Sequence, residues 1–130
     1  MGYYEGNNSP TIDPDADPLL HITTHRLPTA VVIAAVGEVD LATAEHLNTA
    51  VQAEFDDRPG IVVIELSAVT FLSSVGIAVL IKAQRAAEQS RKTLRIVVGD
   101  RRPVVRAIAA SGLDSHLPVF HSLEEALAAA

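Results

Sequence analysis

At 130 residues, 48% of them hydrophobic, the chain is long enough for one globular fold with a real core, and it contains no cysteine. That excludes a disulfide framework, a thiolate nucleophile and a thiolate metal site, and it fits a reducing cytoplasm. A formal charge of −6 with 4% aromatic residues argues against nucleic-acid binding, which needs a dominant basic face and stacking platforms. No apolar run reaches the roughly 18 residues of a membrane span.

Residues 1–17 are rich in Gly, Asn, Pro and Asp, with Glu5, Asp13, Asp15 and Asp17 and no Lys or Arg. They are expected to form a flexible acidic tail ahead of a folded domain at 18–130. Met1 to Gly6 fits neither a signal peptide nor a myristoylation motif, so a cytosolic protein is expected. Leu19 to Thr24 predicts a first strand, ended by Leu27-Pro28. The β-branched run from Ala30 to Val36, bounded by Gly37, predicts a buried second strand. Ala44, Leu47, Val51 and Phe55 recur at helical spacing within Thr43 to Phe55, with Asp40 or Thr43 available as N-cap. After the turn Asp57-Arg58-Pro59-Gly60, Ile61 to Leu66 is apolar on both faces, as parallel strands tend to be.

A helix is expected over Val75 to Gln89, because the helix-forming continuation from Lys82 outweighs the β-branched start. Thr93 to Val98 is a strand ended by Gly99-Asp100, and Pro103 opens a short helix that stops at Gly112. Leu117 to Phe120 is a last strand. Ser122-Leu123-Glu124-Glu125 is a capping box for a terminal helix to Ala129. The order β-β-α-β-α-β-α-β-α predicts an α/β fold with a mixed, mostly parallel sheet of about five strands and four helices.

Most of the positive charge lies late, in Lys82, Arg85, Arg91, Lys92, Arg95, Arg101, Arg102 and Arg106. It is expected on the solvated side of helices and turns, or as a surface for an acidic partner. Of the five histidines, only His21 and His25 are spaced at all suggestively, and four residues apart on a strand they are too distant for a metal site. A nucleophile elbow, a Walker loop and a dinucleotide fingerprint are all missing. The expectation is a protein without metal, cofactor or catalytic residues.

The most informative stretch is Ser73-Ser74-Val75-Gly76, set between a strand and a long helix. Two hydroxyls at a helix start sit beside backbone N–H groups that lack intrahelical partners. A serine there either caps the helix or carries a phosphate. Gly76 is most simply a point of close helix-sheet approach.

Gly37-Glu38-Val39-Asp40 after a hydrophobic strand, followed a strand later by Phe71-Leu72-Ser73-Ser74-Val75-Gly76-Ile77, resembles the STAS domain, and more narrowly the bacterial anti-sigma factor antagonists. Ser111-Gly112-Leu113 also matches the end of that family's third helix, and the resemblance covers about residues 19 to 129. It implies a STAS-like single domain that binds an anti-sigma factor of the serine-kinase type. It also implies phosphorylation by that kinase and resetting by a serine phosphatase. The phosphoacceptor falls on Ser74, with Ser73 as the alternative, and the partner surface on Glu38, Asp40, Ser73, Ser74, Val75 and Gly76. The chain departs from the family pattern twice: Ser73 stands where the family has Asp, and Val75 where it has a second hydroxyl. The runner-up is a STAS scaffold module that is not phosphorylated, in a stress-signalling or transport complex.

Overall fold

Alternation along three neighbouring strands decides where the helices sit. Successive strand residues point to opposite faces. Ile33, Ile64 and Ile96 therefore share one face, while Val32, Val63 and Val97 share the other, and all six are buried. In the computed structural model, which describes residues 19–55, 60–113 and 115–129, β1 (Leu20–Arg26) and β2 (Ala30–Val39) lead into α1 (Ala44–Gln52) and a 3₁₀ turn (Ala53–Phe55). Then come β3 (Ile61–Leu72), α2 (Ser74–Ser90), β4 (Thr93–Val97), α3 (Arg102–Ala110), β5 (Val119–Phe120) and α4 (Leu123–Ala128). The expected tail, and the expected turn Asp57-Arg58-Pro59-Gly60 apart from Gly60, lie outside the described residues.

The sheet order is β1-β2-β3-β4-β5, with β1 antiparallel to β2 and the other pairs parallel. The isoleucine face carries the larger cluster, with Leu47 and Val51 of α1, Leu80 and Ala83 of α2, and Val104 and Ile108 of α3. The valine face is covered by α4 through Ala126, with Phe120 and Leu123 packed at its edge. Ser122 caps α4 by accepting from the Glu125 N–H at 3.1 Å, as the capping box predicts. Arg26 grips Glu54 through two bonds of 2.7 and 3.0 Å, tying β1 to the 3₁₀ turn that ends α1.

β1 runs two residues past its expected end, to Arg26, and β2 and β3 run further past theirs. β3 continues through Ser67 to Leu72, where the alternation is interrupted by irregularities against β2. Ala34 faces Glu65 but Val36 faces Ala68, and Gly37 faces Val69 but Glu38 faces Phe71, so β3 carries an extra residue at each step. The first is held by the Ser67 N–H donating to Glu65 Oε1 at 2.8 Å, the second by Thr70 Oγ1 donating to the Gly37 carbonyl at 3.3 Å. β2 likewise passes through Gly37, whose φ of +121° and close approach to the Leu19 carbonyl leave no room for a side chain.

One late cation departs from expectation. Arg95 is 6% exposed on the valine face of β4, beneath α4. Its guanidinium donates to the Ala126 carbonyl and lies 5.8 Å from the Phe120 ring centre. Burial is tolerable because the charge meets an unfilled helix carbonyl and an aromatic face.

The connection from β2 to α1 is a closed hydrogen-bond unit. Asp40 Oδ1 accepts from the N–H groups of Ala42 (2.9 Å) and Thr43 (3.0 Å), capping the turn that leads into α1. Thr43, wholly buried, accepts from the Asp40 N–H at 2.9 Å and donates to the Glu38 carbonyl at 2.7 Å. The near-isosteric Thr43→Val leaves both backbone groups without that partner and is expected to cost about 1–3 kcal/mol. Gly76→Ala drives a methyl to within 2.5 Å of Leu72 Cδ1 and 2.9 Å of Val39 Cγ1, an overpacking expected to cost about 1–3 kcal/mol. Urea unfolding checks both: the midpoint falls while the slope is unchanged. A wild-type midpoint in either variant would mean that contact relaxes without cost.

Candidate functional site

The parallel pairing of β2 and β3 sets the two motifs side by side, although more than thirty residues separate them. Val39 lies opposite Leu72, and the Ser73 N–H donates to the Val39 carbonyl at 2.9 Å. Glu38 and Asp40 flank Val39 at one strand end, and Ser73 to Gly76 leave the next. All six residues of the expected surface therefore gather at the C-terminal end of the parallel strands, where open α/β sheets usually carry their sites.

The two serines divide their work. Ser73, with extended backbone (φ −80°, ψ 173°), is the N-cap of α2 and accepts from the Gly76 N–H at 3.2 Å. Ser74 is the first residue inside the helix, one position beyond the cap, and its exposed hydroxyl makes no hydrogen bond with the described residues. Serine is a good capping residue, so helix initiation does not need the second serine. The first turn of α2 holds no acidic residue.

Beside Ser74, the sequence reading missed an apolar surface. Leu41 is 80% exposed at the tip of the Asp40–Thr43 turn, and Val75 is 37% exposed. Both line a groove between α1 and α2 of about 230 Å³, with Ala44, Ala78, Glu45 and Lys82 along its walls. Asn48 also lines it, and its Oδ1 is buried without a hydrogen-bond partner. Leu41 stands three residues before Ala44, in step with the buried stripe of α1. The pattern alone would bury it, yet it precedes the helix and faces outward.

His21 and His25 are exposed on β1, and no cluster of three or more His, Cys, Asp or Glu residues among the described residues could hold a metal ion. No described helix is long and apolar enough to cross a membrane.

Known proteins place this architecture. The anti-sigma-F factor antagonist RsfB of Mycobacterium tuberculosis is 39% identical over 98 residues, covering 74% of this chain and 77% of its own length. The crystal structure of an anti-sigma factor antagonist from Mycobacterium paratuberculosis superposes with a TM-score of 0.77 at 30% identity, covering 88% of this chain and 94% of the other. The anti-sigma factor antagonist SpoIIAA in its unphosphorylated form shares the fold, with a TM-score of 0.69 at 17% identity over 82% of this chain and 93% of its own. A family model for the STAS domain matches residues 21–126, and on that match and the curated relative the chain belongs to the STAS-domain family.

Proposed function

We propose that the protein is an anti-sigma factor antagonist that binds an anti-sigma factor of the serine-kinase type and is released by phosphorylation of Ser74. The observation that carries this reading is the division of labour between the serines. Ser73 caps α2, which leaves the Ser74 hydroxyl exposed and uncommitted at the first helical position. Relatives named as anti-sigma factor antagonists support the partner class. SpoIIAA, which shares the fold, exists in unphosphorylated and phosphorylated forms.

In this reading the protein is substrate and ligand, and the catalysis belongs to the partner. The Ser74 oxygen attacks the γ-phosphorus of ATP held by the kinase with Mg²⁺, ADP leaves, and the hydroxyl proton passes to a base of the kinase. A serine phosphatase restores the hydroxyl. The docking surface consists of Glu38, Asp40, Ser73 and Ser74, extended by Leu41 and Val75 along the groove, while Gly76 is buried beneath it against Val39 and Leu72. A phosphate on Ser74 brings roughly −1.5 to −2 charges to the positive end of a 17-residue helix with no acidic first turn, so the fold tolerates it. A partner packed over Leu41 and Val75 must instead bury that charge unpaired. A hundredfold weakening needs only about 2.7 kcal/mol, well within the cost of an uncompensated buried charge.

The test is phosphosite mapping and binding with the host's kinase-type anti-sigma factor. Wild type and Ser73→Ala acquire phosphate on residue 74, and Ser74→Ala acquires none but still binds. Ser74→Glu stays folded by circular dichroism and binds at least about a hundredfold more weakly. Phosphate found on Ser73 in the wild type, or full binding by Ser74→Glu, would sink the switch at Ser74. Failure of the folded wild type to bind would sink the partner class. The cap has its own signature: Ser73→Ala lowers stability by about 0.5–2 kcal/mol, whereas Ser73→Asp, an equally good cap, keeps it.

A further inference from the structure

We propose that the sheet face opposite α1 and α2 carries a second docking surface, centred on Phe71 and Val36, where the anti-sigma factor that engages Ser74 seats an apolar side chain. This rests on the reading of the protein as an anti-sigma factor antagonist, and it adds a contact away from the serines and the α1–α2 groove. Helix cover on that face is short. α4 has six residues, about 9 Å of helix, whereas β3 has twelve, about 40 Å of strand. The cover reaches Val32, Val63 and Val97. Further toward the strand exits, His21, Val36 and Ala68 lie side by side on β1, β2 and β3, and Glu38 lies beside Phe71. Val36 is 50% exposed and Phe71 48%.

The two irregularities of β3 build this face. Strict alternation from buried Leu66 would turn Ala68 inward. The first extra residue instead turns Val69 into the core and Ala68 outward beside Val36. The second seats Leu72 in the core and leaves Phe71 outward beside Glu38. Bulges re-aim side chains in this way beside functional edges. Of the chain's three phenylalanines, Phe71 is the exposed one: Phe55 is buried in the main cluster and Phe120 packs beside α4. An apolar patch rimmed by polar groups, here His21 and Glu38, marks an interaction surface, and aromatic residues are enriched at the core of such surfaces. The occupant is the same partner because the two surfaces are continuous. Glu38 belongs to the surface around Ser74 and is in register with Phe71. Phe71 precedes Ser74 by three residues, at most about 11 Å of chain. A partner seated only over Ser74, Leu41 and the groove would rest on fewer residues than the roughly 20–30 a side of a standard interface. Folding over the strand exits onto Phe71 and Val36 extends it.

The experiment measures binding of the host's kinase-type anti-sigma factor, and the initial rate at which it phosphorylates the protein. It compares wild type with Val36→Lys, Phe71→Lys and a control, Leu27→Lys, which makes the same kind of change at an exposed residue past the other end of β1. Circular dichroism first shows each variant folded, and Val36→Thr or Phe71→Thr replaces a lysine variant that is not. Docking predicts that the Val36 and Phe71 variants bind at least about tenfold more weakly, while Leu27→Lys binds as wild type does. It also predicts a higher KM for phosphorylation at unchanged kcat, because the contact holds the partner without touching the reacting hydroxyl. Wild-type binding by the folded Val36 and Phe71 variants would overturn the second surface and leave the antagonist reading standing. Failure of the wild type to bind would overturn both. A wild-type dimer that Phe71→Lys dissolves, with anti-sigma factor binding unchanged, would give the face to a second copy and overturn the proposal as well.

Discussion

The approach of α2 to the ends of β2 and β3 is the constraint from which the rest of this end of the molecule follows. The helix can start where it does only because residue 76 has no side chain: Val39 and Leu72 already fill the space a Cβ would need. That contact, with the bond from the Ser73 N–H to the Val39 carbonyl, fixes the first turn of α2 against the exit of β2. The same exit, through Asp40 and Thr43, fixes where α1 begins. Two helices and two strands thus share a single junction, and every residue of the expected partner surface lies on it or one position away.

Because the junction is set by packing, the polar groups on it are free to specialise. The cap of α2 must accept a hydrogen bond from inside the first turn, and Ser73 does so. A single serine asked to cap the helix and also to present a reactive hydroxyl would have to break one role to perform the other. With the roles on adjacent residues, a change at Ser74 alters surface charge while the cap stays made. The same separation appears in the neighbouring turn, where buried Thr43 and the Asp40 carboxylate bind backbone and Leu41 is left to solvent.

The order and type of the elements were legible because the core strands are runs of β-branched residues and the helices carry clean apolar stripes. The limits of β2 and β3 were not. Gly37 reads as a strand end, yet here it is the one residue that fits beneath the Leu19 carbonyl. The irregularities near Ser67 and Thr70 break the two-residue period that identifies a strand, although the pairing continues to Leu72. Arg95 was misplaced for a related reason. A charged residue in a strand is expected at the surface, and only the unfilled carbonyl of α4, distant in sequence, makes its burial tolerable. The serine pair was visible as a motif. Which serine caps the helix depended on where α2 starts, and helix ends are the least legible boundaries from sequence.

Topology also explains why so much chemistry collects at one end. Four parallel strands deliver their exits to the same edge, and the antiparallel β1 starts there as well. The opposite edge holds the Arg26–Glu54 pair and the Lys92 contact to the Glu54 carbonyl, which close the fold. The exit edge holds the exposed hydroxyl, the apolar groove and the start of the arginine-bearing helix. Charge added or removed there acts on a surface whose backbone is pinned by buried contacts. Its natural consequence is a change in what the surface binds, with the fold beneath it left standing.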